Sequence, residues 1–180
     1  SLFQVLAERD LSDLEKSDIH FRIGSYYLMV NPDSSIYFDE KSLAFAQKAK
    51  NQEREFRAIT AIGLNYSTKN EFAEAMEYLV QAQAYYDETP NSQMISKIFN
   101  EYGIIHLYQH QLDEAIPMFL KSIQYKKEID DSVGIAKSLN NIAGVYEQLN
   151  KLDSSLIFHY QSLGLKEKLG NQTGIARTRS

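Results

Sequence analysis

The chain is built from repeats of one fixed length, and that period governs what it can fold into. Ile62-Gly63-Leu64-Asn65-Tyr66, Tyr102-Gly103-Ile104-Ile105-His106 and Ile142-Ala143-Gly144-Val145-Tyr146 align without gaps at equal intervals. Phe72-Ala73-Glu74-Ala75-Met76, Leu112-Asp113-Glu114-Ala115-Ile116 and Leu152-Asp153-Ser154-Ser155-Leu156 keep the same register. An earlier copy is weaker. Tyr26 stands one full interval before Tyr66, but Gly24 is one position out of register and Asn31-Pro32 falls in the turn, so a different local geometry is expected there. A period of this length marks stacked units, none of which can bury its apolar face alone.

Each half of the unit has helical spacing. Ile98, Tyr102 and Ile105 follow i, i+4, i+7, and Ile116, Phe119 or Leu120, and Ile123 do the same. The links Thr68 to Glu71, Tyr108 to Gln111 and Gln148 to Lys151 are short, which makes neighbouring helices antiparallel. Helices are expected near 11–29, 33–49, 53–68, 71–87, 91–108, 112–128, 132–148 and 152–168. The expected fold is all-α, a right-handed α-solenoid of stacked antiparallel hairpins. It forms one array over 1–180, with repeats at approximately 11–50, 51–90, 91–130 and 131–170 and partial units at 1–10 and 171–180. Leu2 to Glu8 reads as the end of a second helix, and Gly174-Ile175-Ala176-Arg177 repeats Gly134-Ile135-Ala136-Lys137. Further repeats or another domain on at least one side are therefore expected.

Gly63, Gly103 and Ala143 sit mid-helix, where Gly costs about 1 kcal/mol relative to Ala. A close crossing of two helices would justify them, with Ala75, Ala115 and Ser155 offering a flat surface opposite. Ala82, Ser122 and Ser162 follow seven positions later, where the next hairpin is expected to dock. Tyr66 and Tyr146 are expected to fill the wedge beside the small site.

Composition narrows the functional classes. A net charge of -5 without clustered cations disfavours nucleic-acid binding by this segment. Absence of cysteine removes disulfides and zinc–thiolate sites. No apolar run approaches the roughly 18 residues that span a membrane, and Ser1-Leu2-Phe3-Gln4 lacks the features of a signal peptide. The compartment stays open, cytoplasmic or periplasmic.

The spacing of a small residue, Tyr three later, Ala nine beyond that and Ala seven beyond again is carried by Gly63, Tyr66, Ala75, Leu79 and Ala82. It recurs as Gly103, His106, Ala115, Phe119 and Ser122, and as Ala143, Tyr146, Ser155, His159 and Ser162. This pattern resembles the tetratricopeptide repeat, whose common period is about 34 residues. Here the period is longer, since Gly63 is followed by Gly103 and Ala143, and Gln47, Asp87, Lys127 and Glu167 occupy the place of the usual Pro. The second helix should therefore extend further. Leu139-Asn140-Asn141-Ile142-Ala143 and Leu169-Gly170-Asn171-Gln172 resemble the long repeats of bacterial signalling proteins. Such repeats are often fused to a histidine kinase or a helix-turn-helix regulator. The resemblance implies a peptide or protein partner held in a concave groove lined by the first helices.

Six positions before each packing residue stand Arg57, Lys97, Lys137 and Arg177, and three before stand Thr60, Asn100 and Asn140. Positions three apart share a helix face. Asn can pair with a peptide backbone through both donor and acceptor, and Lys or Arg can hold an acidic group. Asn141 flanks the same surface, as do Tyr108, Glu147 and Gln148. The candidate peptide-binding residues are therefore Arg57, Lys97, Asn100, Lys137, Asn140, Asn141 and Arg177. Glu101 takes the place of Asn141 one unit earlier, where it would repel an acidic ligand or pair with Lys97. The alternative is a merely solvated row of charges.

Other chemistry finds no footing. His106 and His110 are spaced i, i+4, as a metal pair could be, but they fall at a packing position and in a turn, without a third ligand. Asp130-Asp131 suits a helix start. Tyr26-Tyr27 and Tyr85-Tyr86 read as packing residues, and His159, at the place of Leu79 and Phe119, as part of an inter-repeat contact. No cofactor, metal or catalytic group is expected. The expected function is protein or peptide binding, with self-association as a homodimer the alternative.

Overall fold

A computed structural model describes residues 2–8, 10–86 and 91–178, without the side chains of residues 7, 8, 86 and 171–178. Among the described residues there are nine helices and no strand: α1 (Leu2–Glu8), α2 (Asp13–Tyr27), α3 (Pro32–Lys48), α4 (Gln52–Thr68), α5 (Phe72–Tyr86), α6 (Ser92–Tyr108), α7 (Leu112–Glu128), α8 (Ser132–Gln148) and α9 (Leu152–Thr178). They form two compact units, Ser1–Asn91 and Ser92–Ser180. The first holds α1 to α5 and the second α6 to α9, and within each unit consecutive helices pack on one another. The all-α hairpin architecture is thus as expected.

The structural step is half the sequence period. Helices α3, α4, α6, α7 and α8 are each 17 residues long. One three-residue connection spaces them. Lys50, Asn70, His110, Asp130 and Asn150 all take a left-handed backbone, with φ between 52° and 61°. After α3, the Lys50 N–H donates to the Gln47 carbonyl and the Asn51 N–H to the Ala46 carbonyl, both at 3.0 Å. The same pair of bonds closes the helices ending before Asn70, His110, Asp130 and Asn150. This motif satisfies carbonyls that the helix end would otherwise leave without donors.

The third residue of the connection then starts the next helix. Asn51 and Asp131 accept from the backbone N–H groups of Arg54 (3.0 Å) and Gly134 (2.8 Å). The acidic pair expected at one helix start is therefore divided: Asp130 supplies the left-handed turn and Asp131 the cap. Lys50 is the least suited of the five turn residues, because a Cβ in this conformation meets the following carbonyl. Lys50→Gly should raise the unfolding free energy by about 1 kcal/mol. A thermal melt would read this as a rise of roughly 2–4 °C in Tm. An unchanged or lowered Tm would count against the assignment.

The first hairpin departs from this scheme, as Asn31-Pro32 suggested. Four residues, 28–31, join α2 to α3, and none is left-handed. Val30 stands where the other units place the left-handed residue, and a β-branched side chain does not accept that conformation. The altered connection brings Gly24 into the packing role despite its offset register. A Cβ on Gly24 would lie 2.5 Å from Asp39 Oδ1, just as one on Gly103 would lie 2.6 Å from the Phe119 ring and one on Gly63 3.0 Å from Leu79.

Several packing expectations need correction. Ser122 and Ser162 have a role inside their own hairpins that the register did not suggest. They donate to the Ser96 (2.6 Å) and Ala136 (2.7 Å) carbonyls, tying each second helix to the first helix of its own hairpin. Antiparallel pairing brings the far end of one helix against the near end of the other. Tyr66 stacks on Tyr78 at 5.5 Å and Tyr146 on Phe158 at 5.4 Å. Tyr26 is not a core residue: it is 78% exposed, while Tyr27 stacks on Phe38. Tyr85 is half-buried, with its hydroxyl bonded to Glu55, and the Tyr86 side chain and Asp87 lie outside the described residues. α9 continues to Thr178 instead of ending near 168. Gly170, at the register of Asp130, keeps a right-handed backbone, so the reversal seen elsewhere does not occur.

Unit 1 also has a polar core. Asp39 and Asn65 are each 1% exposed, and Asn65 Nδ2 donates to Asp39 Oδ2 at 2.9 Å across α3 and α4. Burial raises the Asp39 carboxyl from 3.8 to about 7, against the opposing effects of Ser35, Asn65 and Arg57.

Candidate functional site: an amide- and lysine-lined cavity

In unit 2, α6 presents Asn100 and Ile104 and α8 presents Lys137, Asn140 and Asn141 to one cavity of about 330 Å³. The spacing i, i+3, i+4 places the α8 residues on a single face. Lys126, from the last turn of α7, and Lys166, from α9, complete the lining. Four of the seven expected site residues, Asn100, Lys137, Asn140 and Asn141, thus meet around one space.

The cavity floor is an ordered polar chain. Lys126 Nζ donates to Ser138 Oγ at 2.7 Å, and Ser138 Oγ donates to Asn100 Oδ1 at 3.1 Å. Asn100 Nδ2 donates to Glu101 Oε1 at 3.4 Å. Lys126 is only 6% exposed. Burial lowers its ammonium from 10.5 to about 8, opposed by the carboxylates of Asp131 and Glu101 and reinforced by Lys137. At the rim, His159 Nδ1 lies 3.1 Å from Asn140 Oδ1, and His159 Nε2 lies 3.1 Å from Glu147 Oε1. His159 is therefore a polar bridge between α9 and α8 rather than a packing residue. Lys137, Lys166 and Asn141 make no side-chain hydrogen bond or ion pair among the described residues, so their donors remain available to a ligand.

The other expected positions are placed differently. Lys97 is exposed and does not line the cavity. Arg57 belongs to unit 1, where its Nη2 donates to Asp18 Oδ1 and its guanidinium lies 4.2 Å from the Phe21 ring centroid. Arg54 grips the same carboxylate at 2.9 and 2.7 Å. These hydrogen bonds hold the Asp18 carboxyl below its usual range. Thr60 is fully buried and donates to the Phe56 carbonyl at 2.8 Å, so it adds nothing to a ladder of polar groups. The Arg177 side chain lies outside the described ones. Of the flanking residues, Glu147 is turned toward Ser155 and His159. His106, the first of the spaced histidines, bonds Gln111 Oε1 at 2.6 Å, and His110 occupies the left-handed turn.

Lys126 and Lys166 went unrecognised as site residues. They stand one full period apart, so a basic register on the second helices was present in the sequence. That register alone does not show that α7 and α9 both pack on α8 and so bring the two lysines to one space.

Residues 94–168 match the model of the tetratricopeptide repeat. No curated protein matches the sequence. Among solved structures, aspartyl phosphate phosphatase F from Bacillus subtilis is 16% identical, with a TM-score of 0.82 over 94% of this chain and 44% of that one. The Rap conjugation gene regulator of the plasmid pLS20, solved in complex with the Phr* peptide, is 15% identical, with a TM-score of 0.82 over 94% of this chain and 47% of that one. MamA is 18% identical, with a TM-score of 0.64 over 94% and 87%. The chain thus spans under half the length of the first two, and the likeness is one of fold.

Proposed function

With residues 94–168 a run of tetratricopeptide repeats, we propose that the chain is a non-catalytic module that binds a peptide segment of another protein. The observation that carries this reading is the convergence of Asn100, Lys137, Asn140 and Asn141 on one cavity. Asparagine amides pair with a main chain irrespective of its sequence, and the lysines orient an acidic group on it. The pLS20 regulator, solved with a bound peptide, shares this fold. On the same reading the module is the sensory or scaffolding part of a larger bacterial signalling or regulatory protein.

The test is a peptide array probed with the chain, followed by titration of the best-bound peptide. Replacing Asn100, Asn140 and Asn141 together by Ala should weaken binding by at least about tenfold, since loss of even one or two such bonds is worth that much. Unchanged affinity with an unchanged melting curve would reject the site.

A second reading, self-association, is favoured by the outer face of α9. Leu156 (52%), Ile157 (56%), Tyr160 (69%) and Leu163 (49%) are exposed along it. Sedimentation velocity over a range of concentrations distinguishes the two, because a homodimer sediments faster as concentration rises and a peptide-binding monomer does not.

A further inference from the structure

The cavity holds more positive charge than an extended peptide backbone requires. Lys126, Lys137 and Lys166 come from α7, α8 and α9, and all three residues line the same space as Asn140 and Asn141. This concentration runs against a chain whose net charge is -5. Lys126 is buried, yet its bond is to the Ser138 hydroxyl. The nearby carboxylates, Asp131 and Glu101, offset part of the cost of this burial from a distance but make no ion pair with Lys126: Asp131 caps α8 through the Gly134 N–H, and Glu101 accepts from Asn100. A buried ammonium without a carboxylate in contact is costly, and an anion entering the cavity relieves that cost.

We propose that this cavity receives a phosphorylated side chain, a phosphoserine or phosphothreonine, of the polypeptide bound by unit 2. The inference rests on the peptide-binding reading and names the group recognised. A carboxylate brings one negative charge and two oxygens. A phosphate monoester brings about -1.5 to -2 and three acceptor oxygens, which matches three ammonium groups on three helices. Lysine binds phosphate as a compact point charge without needing bidentate geometry, and among the described residues no arginine lines this cavity. The volume of about 330 Å³ accommodates the phosphate and the residue that bears it.

The test titrates the isotope-labelled chain, followed by amide NMR, with three probes. These are the N-acetyl methylamide of O-phosphoserine, the same derivative of aspartate, and inorganic phosphate. The phosphoserine derivative should shift Asn100, Asn140 and Asn141 saturably and bind about tenfold more tightly than the aspartate derivative. Lys137→Gln with Lys166→Gln, both exposed and so harmless to the fold, should weaken it by a similar factor. Lys151→Gln, away from the cavity, should leave it unchanged. Equal binding of aspartate, equal binding of inorganic phosphate, or no saturable shift would each overturn the proposal. Two random peptide libraries, fixed at serine or phosphoserine, separate this inference from its premise. Equal capture from both overturns phosphate recognition but leaves peptide binding standing, and capture from neither overturns both.

Discussion

Replacing Phe119 by Ala should lower the unfolding free energy by about 3–5 kcal/mol, the usual cost of emptying a buried aromatic site. Phe119 is fully buried within the core of unit 2, among Ala115, Ile123, Leu139, Ile142 and Val145. Its ring also lies where a Cβ on Gly103 would sit, 2.6 to 2.9 Å from three ring atoms. Gly103→Ala alone should therefore cost about 1–3 kcal/mol through overpacking, despite the better helix propensity of Ala. In the Phe119→Ala background the clash is gone, and the same substitution should become neutral or gain up to about 1 kcal/mol. Chemical denaturation of the four proteins measures this coupling. Gly144 is the control, since a Cβ there meets nothing within 4 Å. Gly144→Ala should stabilise by about 1 kcal/mol. If Gly103→Ala behaved like Gly144→Ala, the close approach of α6 and α7 would be refuted.

Asp39→Asn should stabilise the protein at pH 8 and have little effect at pH 4. The folded carboxyl titrates near 7, above its ordinary 3.8. Between those values the folded protein holds a proton that the unfolded chain has released. Native-state binding then exceeds unfolded-state binding, and stability falls as pH rises through that window. Asn removes the titration, so its advantage should grow from about pH 4 and level off above about pH 7, reaching roughly 2–4 kcal/mol. Asn also retains an oxygen to accept the Asn65 amide. Melts of both proteins at a series of pH values provide the check. A difference that did not change with pH would show that Asp39 is ionised without penalty in the fold.

The architecture was legible because it depends on regular spacing. The placement of Gly63 and Gly103 against a second helix, the antiparallel hairpins and their short connections all followed from that spacing. The polar core was missed although its signal was present. Asp39 stands at the register of Leu79 and Phe119, and Asn65 at that of Ile105 and Val145, so two polar residues occupy core positions. Tyr26 was misread for the opposite reason: the register placed it with Tyr66, but the altered first connection left it exposed.

The candidate site was legible in half. Helical periodicity puts Lys137, Asn140 and Asn141 on one face, because that geometry is local. Which of the repeated positions share a space is not local. Arg57 has the register of Lys137, yet Asp18 from α2 holds it. Thr60 has the register of Asn100, yet it is buried. Lys126, in the last turn of α7, and Lys166, midway along α9, reach the cavity because both helices pack on α8. The sequence by itself determined the helices, their regular step and their pairing, since these rest on backbone hydrogen bonding and the burial of periodic apolar faces. Only the tertiary structure decided which polar residues are spent on the fold and which remain for a partner, because that depends on neighbours that the repeat register does not specify.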